Sequence, residues 1–157
     1  MVESRRPSDD AEAFVLEYIW VVLNAGMREQ VARGIYERIL AAIKTGRPLS
    51  TVFGNRLKVA AIEKMARSYR EVFAGFRAAD DPLEFLERLP FIGPVTKYHL
   101  ARNLGLDYVK PDRHLTRIAA RYGTSPEALC RSLAGESGDR IGTVDVVLWR
   151  AANLGIL

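Results

Sequence analysis

Residues 89–97, which read LPFIGPVTK, most constrain the fold of this chain. Two prolines and a glycine separate two apolar segments, which predicts that one helix ends near Leu89 and the next begins at Pro94. Amides at the start of a helix lack intrahelical partners, and the helix dipole favours an anion there. Because Gly93 has no side chain, a phosphate can approach its backbone closely. The stretch therefore predicts a helix–hairpin–helix element that holds a nucleic-acid backbone, with a plain helix turn as the alternative.

A carboxylate follows this hairpin after one further helix and a loop. Asp112 stands in the sequence KPDRHLTR, where it can cap the next helix. Capping is worth about 1 kcal/mol, and Ser or Thr would provide it equally well. Capping does not explain why the carboxylate stands among so many basic residues, so we interpret Asp112 as a functional group, with a simple cap as the alternative.

The rest of the chain shows helical periodicity, and no stretch alternates apolar and polar residues between turn signals. The predicted fold class is therefore all-α. Helix N-caps are predicted at Asp9 or Asp10, Asn55, Asp81, Asp112 and Ser125. The predicted helices cover residues 11–24, 28–44, 55–76, 94–104, 112–122, 126–133 and 143–153, with a short helix from residue 82 and a loop at 134–142.

Helical spacing also assigns single side chains to the core or to solvent. Leu57 is expected on the buried face of its helix and Lys58 among the solvated cations. Trp149, like Trp20, is expected in the core. Asp145 is interpreted as a first-turn helix carboxylate rather than a catalytic group.

Composition limits the kinds of site that the chain can build. With 157 residues, 48% of them hydrophobic, it can form one compact domain or two small lobes. A net charge of +4 hints at a polyanionic partner, although many soluble proteins are this basic. The single cysteine, Cys130, excludes an intrachain disulfide and a four-cysteine zinc or iron–sulfur site, and is expected to be buried. The N-terminus lacks an apolar signal segment and the apolar run at 18–23 is too short to span a bilayer, so a cytoplasmic, nucleoid-associated protein is expected.

Several of these segments together resemble a known family. The LPFIG sequence at 89–93, taken with DRHLTR at 112–117, is similar to the signature of the endonuclease III-type (HhH-GPD) DNA glycosylase superfamily. The closest similarity is to the small archaeal-type 8-oxoguanine DNA glycosylase branch, carried by Ile92-Gly93, His99, RNLG at 102–105, DRH at 112–114 and VDxxLW at 144–149. Residues 14–40 resemble the first two helices of the superfamily.

The resemblance implies an enzyme that flips a damaged or mismatched nucleotide out of double-stranded DNA and cleaves its N-glycosidic bond. Asp112 matches the catalytic carboxylate, which stabilises the oxocarbenium-like sugar or activates a water. Gly26 stands where relatives carry Gln or Asn, so Met27 or Arg28 is the implied wedge that fills the gap left by the base, with a place in the core as the alternative for Met27. The implied DNA contacts are Pro90, Phe91, Ile92, Gly93, Val95, Thr96, Lys97, Lys110 and Arg113.

Two departures from the family pattern change what is expected. Val95 occupies the position where bifunctional relatives carry a lysine nucleophile, so the resemblance implies a monofunctional glycosylase without strand-cleaving lyase activity. Lys97 lies about 200° around the helix from Val95 and is a poor substitute. Lys110, two residues before Asp112, is the better candidate, with phosphate binding as its alternative role. Phe91 replaces the usual first glycine of the hairpin.

The implied architecture is a flexible N-terminus at 1–10 and one domain at 11–157, with a basic cleft between two helical lobes. Lobe A comprises about 11–27 plus 111–157, and lobe B about 28–110. No metal, iron–sulfur cluster or other cofactor is expected, although the resemblance allows a monovalent cation at the hairpin. The expected state is a monomer without membrane contact. A non-catalytic helix–hairpin–helix DNA-binding module and, more weakly, a protein–protein scaffold are the alternatives.

Overall fold

The structure, a computed structural model, describes residues 10–157 and is all-helical over this range, as predicted. The predicted flexible N-terminus at 1–10 lies outside the described residues apart from Asp10. The described helices are α1 (Ala11–Asn24), α2 (Glu29–Thr45), α3 (Arg56–Ala78), α4 (Pro82–Glu87), α5 (Thr96–Asn103), α6 (Arg113–Arg121), α7 (Pro126–Ser137) and α8 (Ile141–Asn153), with a short 3-10 turn at Leu49–Thr51.

Helix α1 lies at the centre of the hydrophobic core of residues 10–100 and packs against α2 and α3. Its residues are apolar around most of the helix, and Phe14, Tyr18 and Leu23 are completely buried. Four phenylalanines from α1, α3 and α4 stack in tilted pairs, with ring centroids 5.3–6.3 Å apart. Aromatic burial on this scale fixes the position of the short helix α4, and therefore the start of the hairpin that follows it.

The buried face of α3 differs from the predicted one. Ala61 and Met65 are buried as expected, but Leu57 is 74% exposed and Lys58 is only 9% exposed. The buried face also includes Val59 and Ile62, so it extends further round the helix than predicted, on the side away from Leu57. Successive residues are about 100° apart, so a face that keeps Ala61 and Met65 and adds these residues takes in Lys58 and leaves Leu57 beyond its edge in solvent.

Residues 101–157 build a second, smaller core from α6, α7 and α8. Cys130 is completely buried there as predicted, together with Leu115 and Val144. Burial raises the pKa of the Cys130 thiol to about 12, which keeps it protonated and unreactive. Trp149, in contrast, is 40% exposed, so its predicted place in the core was wrong.

The predicted loop at 134–142 was too long. Helix α7 continues through Gly135 to Ser137 and ends at Gly138, whose φ of 78° gives the left-handed C-cap. Helix α8 already begins at Ile141, so Asp145 lies in its second turn rather than its first and is only 2% exposed.

The chain divides into two compact units within α5, so that residues 10–100 form one and residues 101–157 the other. This division differs from the predicted lobes, since α1 groups with α2 and α3. The cleft between two lobes stays a prediction. Within residues 10–157, no helix has both the length and the apolar character needed to cross a membrane.

Candidate nucleic-acid interface and carboxylate site

The hairpin between α4 and α5 is held by the protein core beneath it. Ile92 is 4% exposed, and its N–H donates to the carbonyl of Leu89 at 3.0 Å. The carbonyl of Pro90 accepts a hydrogen bond from the buried hydroxyl of Tyr18 at 2.9 Å. Burial raises the pKa of Tyr18 far above its ordinary value, so the phenol stays protonated and remains a donor. The hairpin backbone is therefore fixed on both sides of Phe91.

Gly93 differs from its predicted role in one respect. Its N–H donates to the Thr96 side-chain oxygen at 2.7 Å, so this amide is already hydrogen-bonded. The sequence had suggested that it would be free to bind a phosphate. The space beside its Cα is nevertheless open, because a Cβ added at this position would meet only that Thr96 oxygen, at 4.0 Å. Close approach of a ligand to Gly93 is sterically allowed, and its role in DNA binding stays a prediction.

The exposed part of the hairpin is apolar. Phe91 is 42% exposed and Val95 is 59% exposed. Phe91 has a φ of 62°, the sole positive φ of a non-glycine residue among residues 10–157. A bulky side chain rarely adopts this conformation, whereas a glycine at this position would adopt it without strain.

Lys97 is committed to interactions within the same unit. Its ammonium pairs with Glu87 and lies 5.5 Å from the ring centroid of Tyr98. The hydrogen bond from Lys97 to Glu87 raises the pKa of the lysine, which favours its charged form. An amine nucleophile must be neutral, so Lys97 is a poor candidate for that role.

Asp112 caps α6 as predicted. Its Oδ1 accepts the N–H groups of His114 at 2.9 Å and Leu115 at 3.0 Å. The N–H of Asp112 donates to the carbonyl of Lys110 at 2.7 Å, which closes a tight turn around Pro111. Both capping hydrogen bonds are accepted by Oδ1, and within the described part of the chain Oδ2 accepts no hydrogen bond. The half-buried carboxylate thus has one oxygen in use and one available.

A second carboxylate, Asp145, supports this turn from α8. Its Oδ2 accepts the N–H of Lys110 at 2.8 Å. Burial raises the pKa of Asp145 most, and the negative charge of Asp112 adds to this effect. The Lys110 hydrogen bond and the positive charge of Arg102 act in the opposite direction. Sequence reasoning missed this contact, although a single acid within the apolar run VDVVLW was a visible signal.

Two basic residues follow Asp112 on α6. Arg113 is exposed, and its Nε donates to Nε2 of His114 at 3.4 Å. Nδ1 of His114 is buried and forms no hydrogen bond with any residue from 10 to 157. Arg113 is therefore accessible to a phosphate, whereas His114 is held against the protein.

The predicted wedge residues lie in the turn between α1 and α2. Arg28 is exposed and Met27 is half-buried. The Nζ of Lys58 donates to the carbonyl of Ala25 at 2.8 Å, which ties the end of α1 to the start of α3. Burial lowers the pKa of Lys58. Lys58 was predicted to be a solvated cation. Its hydrogen bond instead fixes the backbone at Ala25, where the turn between α1 and α2 begins.

The site residues belong to two different units of the chain. The hairpin residues and Lys97 are in residues 10–100, whereas Lys110, Asp112, Arg113 and Asp145 are in residues 101–157. Within the described sequence, no group of three or more His, Cys, Asp or Glu side chains is arranged to hold a metal ion.

Comparison with known proteins leaves the family open. No protein-family model matches the chain, and neither the curated proteins nor the solved structures contain a match.

Proposed function

We propose that this protein is a monofunctional DNA N-glycosylase of the helix–hairpin–helix type, with Asp112 as its catalytic carboxylate. The substrate is a damaged or mismatched base that is flipped out of double-stranded DNA. The proposal includes a cleft between two helical lobes and requires the hairpin and Asp112 to contact the same DNA molecule. It assigns phosphate contacts to the hairpin, Lys110 and Arg113.

The geometry of Asp112 is the observation that supports this proposal. Oδ1 is fixed by the two backbone bonds to α6, and these bonds orient the whole carboxylate. Oδ2 is left without a protein partner among residues 10–157, so it can stabilise positive charge on the sugar or accept a proton from a water. The hydrogen bonds to Oδ1 thus position the carboxylate and leave Oδ2 available for the reaction.

The candidate positions for an amine nucleophile among the described residues support the monofunctional form. Val95 cannot act as a nucleophile, and Lys97 is paired with Glu87. Lys110 is half-buried, and its backbone is held between Asp145 and Asp112. A covalent adduct trapped by borohydride on DNA that contains the lesion would contradict this part of the proposal, and Lys110→Gln would test whether Lys110 formed it.

A non-catalytic DNA-binding module is the second candidate, because one observation favours it. Both hydrogen bonds of Asp112 are those of an ordinary N-cap, and such a cap stabilises a helix by about 1 kcal/mol without any chemistry. On this account the protein binds DNA with a steep salt dependence and releases no base.

Release of a base from a panel of duplexes, each with one lesion or mismatch, tests the two candidates. Asp112→Asn is the decisive variant, since asparagine caps a helix as well as aspartate does but carries no charge. The glycosylase predicts base release by the wild type and at least about a hundredfold slower release by Asp112→Asn. The binding module predicts salt-dependent binding by both proteins and no release by either.

A further inference from the structure

The conformation of Phe91 is not explained by the needs of the fold. The left-handed region disfavours a side chain with a Cβ, and glycine at this position would relieve the strain. Strained residues persist where their surroundings hold them in place, and they occur frequently at functional sites. The surroundings here are the Tyr18 bond to Pro90 and the burial of Ile92.

Phe91 also leaves a large part of its ring in solvent. The residue is 42% exposed, whereas Phe14, Phe76 and the adjacent Ile92 are each 8% exposed or less. The fixed hairpin therefore presents an aromatic surface that the core of residues 10–100 does not use. The carbonyl of Pro90 and the N–H of Ile92 are already bonded, so the ring, rather than these groups, is what the hairpin offers.

An exposed cation that can contact phosphate lies close to Phe91 in the sequence. Arg88, the C-cap of α4, precedes Phe91 by three residues in the sequence. Its side chain is 72% exposed in its pair with Glu84, which is also exposed. Such a pair on the surface of a helix holds its arginine only weakly, so Arg88 can turn to another anion. Exposed aromatic rings and nearby cations are the groups that bind single-stranded nucleic acid, the ring by stacking on a base and the cation by contacting the backbone.

We propose that Phe91 stacks on an unpaired nucleobase of the bound DNA, with Arg88 on the adjacent phosphate. The inference rests on the proposed function in that it takes DNA as the partner, and it adds how the hairpin grips DNA. It predicts a preference for duplexes that are locally opened, because a paired base has no free face for the ring.

The test uses the full-length protein and two duplexes, one intact and one with an abasic-site analogue opposite 5-iodouracil. Phe91→Ala and Phe91→Gly remove the ring, and Phe91→Tyr retains it. Ile43→Ala is the matched control, because Ile43 is exposed to a similar extent, 40%, on α2. Affinity is measured over a range of salt concentrations, and photocrosslinked peptides are identified by mass spectrometry.

Loss of the ring should lower affinity for the opened duplex about tenfold, with the salt dependence unchanged because no phosphate contact is lost. The crosslink should map to Phe91, and both Phe91→Tyr and Ile43→Ala should bind like the wild type. Phe91→Gly should melt at a higher temperature than Phe91→Ala, since glycine relieves the strain. A purely structural role for Phe91 would not explain equally weak binding by both variants when Phe91→Gly is the more stable of the two.

Wild-type affinity of Phe91→Gly for the opened duplex would overturn this inference and leave the proposed glycosylase intact. Failure of the wild type to bind either duplex at low salt would overturn the proposed function, and this inference with it.

Discussion

The hairpin at residues 89–97 and the turn at residues 110–115 both hold their backbones tightly, but they leave different groups available. In the hairpin, the polar groups of Gly93 and Lys97 are bonded to neighbours, and the exposed surface is the apolar side chains. In the turn, Asp112 keeps one carboxylate oxygen without a partner among the described residues. Under the proposed function, the hairpin binds DNA and the turn supplies the catalytic carboxylate.

The support beneath the two regions also differs. A neutral phenol, Tyr18, holds the hairpin, whereas a buried carboxylate, Asp145, holds the turn. Burial of a carboxylate costs more free energy than burial of a phenol, and removal of a hydrogen-bonded carboxylate lowers the stability of the fold by more. Variants at the two supports should therefore affect stability unequally, which makes the comparison measurable.

Asp145→Ala should have the largest effect on stability. It leaves the N–H of Lys110 without its acceptor and opens a small cavity, so the free energy of unfolding should fall by about 2 kcal/mol. Denaturant unfolding of this variant and of Asp145→Asn, which retains an acceptor oxygen, provides the measurement. Equal stability of the alanine variant and the wild type would show that Asp145 does not hold the turn.

The pH dependence of stability sharpens this result. Because burial raises the pKa of Asp145 above its ordinary 3.8, the folded state binds this proton more tightly than the unfolded state does. Ionisation of Asp145 therefore destabilises the wild type as the pH rises above 3.8, and the effect is complete once the pH passes its raised pKa. Asp145→Asn lacks this component, so its stability should decline less over the same interval. Parallel curves for the two proteins would contradict the assignment.

Tyr18→Phe should have a smaller effect. It removes one hydrogen bond to Pro90 without changing the shape of the core, at a cost of about 1 kcal/mol. Tyr122→Phe is the control, because Tyr122 is 69% exposed. If both variants unfold at the same denaturant concentration, the Tyr18 bond does not fix the hairpin.

Gly93→Ala should affect stability least, by less than about 0.5 kcal/mol, since the added methyl group has open space. The same methyl group would obstruct a phosphate near the backbone and should weaken DNA binding several-fold. Gly34→Ala on α2, where a Cβ also meets nothing within 4 Å, should leave affinity unchanged. Equal affinities for the two variants would remove Gly93 from the DNA contact.

Local signals predicted most of the fold. The predicted caps at Asp10, Asn55, Asp81 and Ser125 are confirmed. Such caps can be predicted from sequence because each depends only on one side chain and the amides two or three residues later. The end of α7 was missed because Gly135 resembles a stop signal, whereas the chain takes its left-handed turn at Gly138.

The contacts that define the two regions could not be predicted in the same way. The bond from Lys110 to Asp145 joins residues 35 apart in sequence, and that from Tyr18 to Pro90 joins residues 72 apart. Periodicity assigns a residue to a face but does not specify what it meets there. The capping role of Asp112 followed from sequence, but its available oxygen and its support did not.

Single-turnover base release by the wild type and by Asp112→Asn, with melting temperatures measured in parallel, tests the central claim most directly. The account predicts that both proteins melt at the same temperature and bind the lesion duplex equally, while the variant releases the base at least about a hundredfold more slowly. Release at the same rate by both proteins, or no release by the wild type from any lesion, would contradict it.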